Sequence, residues 1–104
     1  MDLRELLKKN QAITDSVPYK KDGLALKLRR FSMSETATYY SVAENDPIKA
    51  TLFLLKTAVL DESGNPYFTD SDDSLITGAI DSSLKPIITA FWEYQNAQGK
   101  TLKA

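Results

Sequence analysis

The stretch Asp46-Pro47-Ile48-Lys49-Ala50-Thr51-Leu52-Phe53-Leu54-Leu55-Lys56-Thr57-Ala58-Val59-Leu60 decides how this sequence folds. Asp46 is a helix N-cap, because its carboxylate can accept from an amide of the first turn. Pro47 takes the first helical position, where the missing N–H costs nothing. The spacing predicts a helix from Pro47 to Leu60. Ile48, Leu52, Leu55 and Val59 fall on one face, while Phe53, Leu54 and Ala58 carry apolar surface round most of the cylinder. Such a helix belongs at the centre of a core. The near-apolar run Ala50–Leu60 contains Lys56 and is far shorter than the roughly 20 apolar residues that span a bilayer.

Upstream, Asn45-Asp46-Pro47 ends a preceding helix that opens at Ser32-Met33-Ser34-Glu35. These four residues form a capping box, with the Ser32 hydroxyl on the Glu35 amide and the Glu35 carboxylate on the Ser32 amide. That helix is expected from Met33 to about Glu44, with Met33, Ala37 and Tyr40 on one stripe. Further upstream the period changes to two: Leu24, Leu26 and Leu28 alternate with Ala25, Lys27 and Arg29. Asp22-Gly23 is a hairpin turn signal. Val17 and Tyr19 supply the partner strand, and Pro18 confines it to an edge. A β-hairpin is expected from about Val17 to Phe31. Asp2 to Asn10 reads as a short helix with Leu3, Leu6 and Leu7 on one side. It is too short to stand alone and needs its own domain or a neighbouring subunit to dock on.

Downstream, Glu62-Ser63-Gly64-Asn65-Pro66 is a turn cluster. Thr69-Asp70-Ser71-Asp72 caps a short helix to about Ile80 with Leu75, Ile76 and Ala79 together. Asp81-Ser82-Ser83 starts the last helix, whose stripe is Leu84, Ile87, Ile88, Phe91 and Trp92. Pro86 is accommodated within about its first turn. The polar segment 96–104 reads as a flexible tail. The fold class is mainly α with minor β, a bundle of about four to five helices with one N-terminal hairpin. Residues 1–104 are expected to form a single domain with a helical core over 33–95.

Composition narrows the chemistry. Among 104 residues there is no cysteine and no histidine. Disulfides, thiolate metal sites, Cys nucleophiles and the usual general base are therefore excluded. The net charge of −1 conceals a split. Residues 1–30 hold eight bases against four acids, a net +4. Residues 31–104 hold five bases against ten acids, a net −5. Six acids and no base lie between Asp61 and Asp81. The plain reading of such a split is two solvated faces. The sharper one is head-to-tail association, the basic patch of one copy on the acidic patch of the next. Lys27, Arg29 and Arg30 are the candidate basic side of such a contact, and Asp70, Asp72 and Asp73 the acidic side of the neighbour. Neighbouring helix residues diverge by about 100°. Tyr39-Tyr40 and Phe91-Trp92 therefore cannot both point inward, and Tyr39, Tyr40, Trp92 and Tyr94 are candidate partner contacts.

Four catalytic or ligand motifs fail on inspection. Asp61–Asp72 has the length of a calcium loop, but Pro66 stands where glycine makes the sharp turn and Asp72 where a bidentate Glu is required. Gly99-Lys100-Thr101 lacks the glycine five residues earlier that a phosphate loop needs. Ser82-Ser83-Leu84-Lys85 has the Ser-x-x-Lys spacing without its partner motifs. The basic hairpin carries no interleaved aromatics and the pI is about 5.3, which argues against nucleic acid. No catalysis, cofactor or metal is expected, and the Met1–Glu5 start carries no signal-peptide pattern.

The order of features over roughly residues 17–95 resembles the tail assembly chaperones of long, non-contractile-tailed bacteriophages (siphophages). In that family a helix runs into an Asp-Glu-x-Gly-x-x-x-Phe turn, matched here by Asp61-Glu62-Ser63-Gly64-Asn65-Pro66-Tyr67-Phe68. An acidic cap and a short helix pair follow, matched by Thr69-Asp70-Ser71-Asp72 and the segments after it. Phe31-Ser32-Met33-Ser34-Glu35 matches the Leu-Ser-x-x-Glu that opens the family's first core helix. Tyr67 departs from the pattern, since an apolar residue is usual there. The resemblance implies a non-enzymatic chaperone. It would bind the tape measure protein, help recruit major tail (tube) protein subunits, act as a homo-oligomer in the host cytoplasm, and be absent from the virion. It also implies a longer product made by −1 frameshifting. Gly99-Lys100 is compatible with a slippery coding context but is too common a dipeptide to carry weight, and the gene sequence decides it. Two other readings stand beside it: a head–tail connector that stays in the particle, and a small nucleic-acid-binding adaptor.

Overall fold

Local capping sets most of the element boundaries. The structure, a computed structural model, describes residues 2–97. Helix α1 spans Leu3–Lys9, with the Asp2 side chain accepting from the Glu5 amide at 3.1 Å. A 3₁₀ turn at Ala12–Thr14 leads to strands β1 (Val17–Lys21) and β2 (Leu24–Leu28). The turn between them has positive φ at both Asp22 (51°) and Gly23 (82°), the geometry of a type I′ hairpin. Register pairs Val17 with Leu28 and Tyr19 with Leu26, so these four side chains share the buried face.

Helix α2 (Met33–Asn45) begins on the full Ser32/Glu35 capping box, and α3 (Pro47–Ala58) on Asp46, whose side chain accepts from the Lys49 amide at 3.0 Å. Asp46 closes one helix and opens the next, so the chain turns on a single residue. Beyond α3 the structure corrects the sequence reading. The helix ends at Ala58, and Val59–Leu60 form a third strand, β3, antiparallel to β2 in the order β1-β2-β3. The cause is the following turn. The Asp61 carboxylate accepts from the Ser63 and Asn65 amides, Gly64 takes φ +90°, and the Asp61 amide donates to the Asn65 carbonyl at 2.8 Å. This folds Pro66 back opposite Leu60 and holds the segment extended.

A 3₁₀ turn at Asp70–Asp72, boxed by Thr69 and Asp72, leads into α4 (Asp73–Thr77), which stops at Gly78 and so falls short of Ile80. Helix α5 spans Asp81–Gln95. Pro86 lies inside α5 as its sixth residue, deeper than the first turn. It leaves the Ser82 carbonyl without an i+4 amide. Tail residues 98–104 fall outside the described part.

The core joins Val17, Tyr19, Leu26, Leu28 and Phe31 to Leu54, Leu55, Ala58 and Val59, then to Ile76, Ile87, Phe91 and Tyr94. Three expected stripes are rotated. On α3 the deep residues are Ala50, Leu54, Leu55 and Ala58. Ile48 lies about 240° round the axis from Leu54 and is 62% exposed. On α2, Met33, Ala37 and Tyr40 face outward, and Tyr39, Val42 and Ala43 face in. On α4 only Ile76 is buried, while Leu75 and Ala79 are exposed.

These placements give a paired expectation. Phe91→Ala removes a fully buried ring and should cost about 3–5 kcal/mol, seen in urea denaturation as a large fall in midpoint. Met33→Ala, on the solvent side of α2, should change stability by less than about 0.5 kcal/mol.

Candidate interaction surfaces

The charged residues singled out in the sequence are mostly committed within the chain. Arg29 leaves β2 and meets Glu35 through two hydrogen bonds, 2.8 Å and 2.7 Å, in a fork-to-carboxylate arrangement. Arg30 turns the other way and holds Asp15. Its Nη2 lies 2.9 Å from Asp15 Oδ1, and its backbone amide donates to Asp15 Oδ2 at 2.8 Å. The same guanidinium sits 4.7 Å above the Tyr94 ring and donates to the Ala97 carbonyl at 3.0 Å. Lys27 is half-buried on β2, in register with Pro18 and Leu60. On the acidic side, Lys56 bridges Asp70 (2.9 Å) and Asp73 (3.0 Å), and Asp72 caps Thr69. Arg29 and Arg30 are thus engaged within the chain, each with a carboxylate on a neighbouring loop or helix. Asp70 still presents its carboxylate to solvent despite Lys56.

The aromatic candidates divide in the same way. Phe31 is the hub, with ring centroids of Tyr39, Phe53, Phe91 and Trp92 between 4.7 Å and 6.2 Å away. Trp92 is half-buried and edge-on to Tyr39 at 5.2 Å. Tyr40 lies at the rim, 57% exposed, with its ring 6.4 Å from Trp92. Tyr94 is fully buried and its hydroxyl donates to Asp15 Oδ1 at 2.7 Å, so it belongs to the core and not to a partner-facing surface. The i, i+4, i+7 series Ile87, Phe91, Tyr94 carried that signal in the sequence. Asp15 carried none: it is an isolated acid in a polar linker, and its partners are 15 and 79 residues away.

These contacts set the ionisation of the groups involved. Burial works to raise the Asp15 carboxyl, but the Arg30 side chain and amide and the Tyr94 hydroxyl outweigh it and hold the carboxyl below its usual range. Burial, then the Asp15 carboxylate, lifts the Tyr94 phenol well above its ordinary value. Hydrogen bonds from Arg29 bring Glu35 down to about 2 against the cost of burial, with help from the Ser32 amide.

Among the described residues no group of three or more acids is arranged to hold a metal ion, and no helix is long and apolar enough to cross a membrane. The surface offers apolar grooves instead. One of about 290 Å³ lies between the starts of α3 and α5, lined by Ile48, Leu52, Ile76, Ala79 and Leu84 with Asp81 in its wall. The leucines of α1 are also uncovered: Leu3 is 67%, Leu6 45% and Leu7 54% exposed.

No protein-family model matches the chain, and no curated protein matches it. Among solved structures, the fold is that of the tail assembly chaperone of bacteriophage HK97. The TM-score is 0.62 at 16% identity, over 92% of this chain and 96% of the other.

The Glu35 contacts predict acid sensitivity with a definite sign. A carboxyl whose folded value lies below its unfolded value adds stability above about pH 4.5 and loses it as pH falls toward 2. Glu35→Gln should therefore cost about 1–3 kcal/mol at neutral pH, since Glu35 is only partly buried. It should also flatten the fall in Tm between pH 5 and pH 2 measured by circular dichroism.

Proposed function

We propose that this protein is a tail assembly chaperone of a long-tailed bacteriophage. It binds the tape measure protein and helps bring tail tube subunits to it, by repeated non-catalytic contacts, in the host cytoplasm and without remaining in the virion. The observation that carries the reading is a coincidence of two independent likenesses. The capped helices and the Asp61–Phe68 turn resemble that family in sequence, and the fold is shared with the HK97 chaperone over nearly the whole chain at an identity too low to have dictated the resemblance.

The surface supports a role in binding. A helical client is held best by many weak contacts repeated along its length, because linked sites raise the effective concentration of each next contact. Tyr40 and Trp92 give an aromatic rim suited to such contacts, and aromatic residues are enriched where proteins meet. Self-association of copies on one client follows from the same reasoning. In this reading it draws on exposed groups such as Asp70, while Arg29 and Arg30 stay in their internal pairs. A frameshift-extended form would link the client-bound array to the tube protein.

Co-expression with the tape measure protein of the same genome tests the reading. A soluble, co-purifying complex is expected, and a client that stays aggregated and uncaptured would overturn it. Tyr40→Ala should lower the affinity of that complex about fivefold, the effect of losing roughly 1 kcal/mol at a contact, with Tm unchanged.

A further inference from the structure

The structure leaves one helix with an apolar stripe that the rest of the chain covers only in part. Helix α1 has no buried residue, yet Leu3, Leu6 and Leu7 share one side of it. Both of its ends are closed locally. Asp2 accepts from the Glu5 amide, Asn10 Nδ2 donates to the Leu6 carbonyl at 2.9 Å, and Gln11 Nε2 donates to the Leu7 carbonyl at 2.7 Å. Isolated helices shorter than about 12 residues are marginal in water, so seven residues need a surface to lie on.

The same chain carries a surface of matching kind. The groove between the starts of α3 and α5 is apolar along its floor, from Leu52, Ile76 and Leu84, and Ile48 stands open at its side. Asp81 forms part of its wall and ends a segment, Asp61–Asp81, that holds six acids and no base. The leucines of α1 are flanked by Arg4, Lys8 and Lys9. Apolar stripe meets apolar floor, and a segment with three bases against two acids, Asp2 and Glu5, meets Asp81, which stays largely exposed beside a likewise exposed Lys85 at 3.3 Å. Complementarity of this kind fixes register between partners.

The groove that α1 fits is not within easy reach in its own chain. The foot of α1, at Leu7, Lys9 and Asn10, borders the cleft that contains Gln95, at the end of α5. The groove is bordered by Asp81 and Leu84, at the beginning of α5. These sites are about 20 Å apart at 1.5 Å per helical residue. The connecting residues are folded into a 3₁₀ turn, with the Asp15 amide on the Ala12 carbonyl and Asp15 itself fastened to Arg30 and Tyr94. We infer that α1 of one copy docks in the α3/α5 groove of the next copy, a head-to-tail contact that leaves one arm and one groove open at the two ends of any row. Such a contact repeats without closing unless the rotation per copy makes a ring. It deepens the proposed function by naming a surface through which copies would line up on a client, and it rests on that reading only for its purpose.

The absence of cysteine makes the test direct. Two full-length variants, Leu6→Cys and Ile48→Cys, both at exposed positions, are mixed and treated with a short bismaleimide. The inference expects a cross-linked heterodimer in excess of either homodimer, its Leu6–Ile48 linkage identified by peptide mass. It also expects that band to be lost when Leu3 and Leu7 are changed to Ser in the Leu6→Cys chain. Homodimers of Leu6→Cys in excess would mean arm-to-arm pairing and overturn it. So would a link formed within single molecules of the Leu6→Cys/Ile48→Cys double variant at high dilution, or the absence of any link. Circular dichroism of each variant confirms that the core is intact. A missing heterodimer alongside continued capture of the tape measure protein overturns this inference alone. A heterodimer without capture overturns the proposed function alone.

Discussion

The tie among Asp15, Arg30 and Tyr94 is the interaction on which the rest of the arrangement depends. Asp15 is a buried carboxylate, and a buried charge is tolerated only when its lone pairs are occupied. Here they are occupied by a guanidinium, a backbone amide and a phenol drawn from the end of β2 and the last turn of α5. Three segments distant in sequence are thereby fixed at one point. Losing one partner would cost more than its own hydrogen bond, because the others would be left desolvated and unmatched.

From that point the layout follows. Fixing Arg30 fixes Phe31 beside it, and the Phe31 amide donates to the Gln95 side chain at 2.7 Å. The Phe31 ring then gathers Tyr39, Phe53, Phe91 and Trp92, so α2, α3 and α5 meet on one aromatic side chain. On the other side Arg29, next in line, braces the start of α2 through Glu35, which also completes the cap of that helix. Adjacent arginines thus serve opposite walls. The strand they leave points one toward the N-terminal linker and the other toward the first core helix.

What could be read from the sequence was the local chemistry. Caps at Ser32, Asp46 and Thr69, and the Asp22-Gly23 turn, depend on residues a few positions apart, and all stand where their side chains place them. What could not be read depends on distant partners. The Val59–Leu60 strand follows an uninterrupted helical pattern and is pulled extended only because β2 and the Pro66 turn flank it. The stripes on α2 and α3 were off by a fraction of a turn because both helices are apolar over a broad arc, and the neighbours choose the side. For the candidate contacts, Arg30 and Tyr94 looked available because Asp15 gives no sequence signal, and Arg29 because Glu35 reads as a cap alone. Tyr40 lies at the rim and Trp92 is half-buried, although the helical spacing groups each with an apolar stripe.

The sheet has a further consequence. Its order puts β1 at one margin and the two-residue β3 at the other, and a proline stands at each: Pro18 within β1, and Pro66 bridged to Leu60. Neither proline can offer an N–H to an added strand, and Lys20 and Lys21 line the first margin with charge. A row of unpaired N–H groups at a sheet margin is a template for an added strand, and at each margin of this sheet a proline takes one of those donors away.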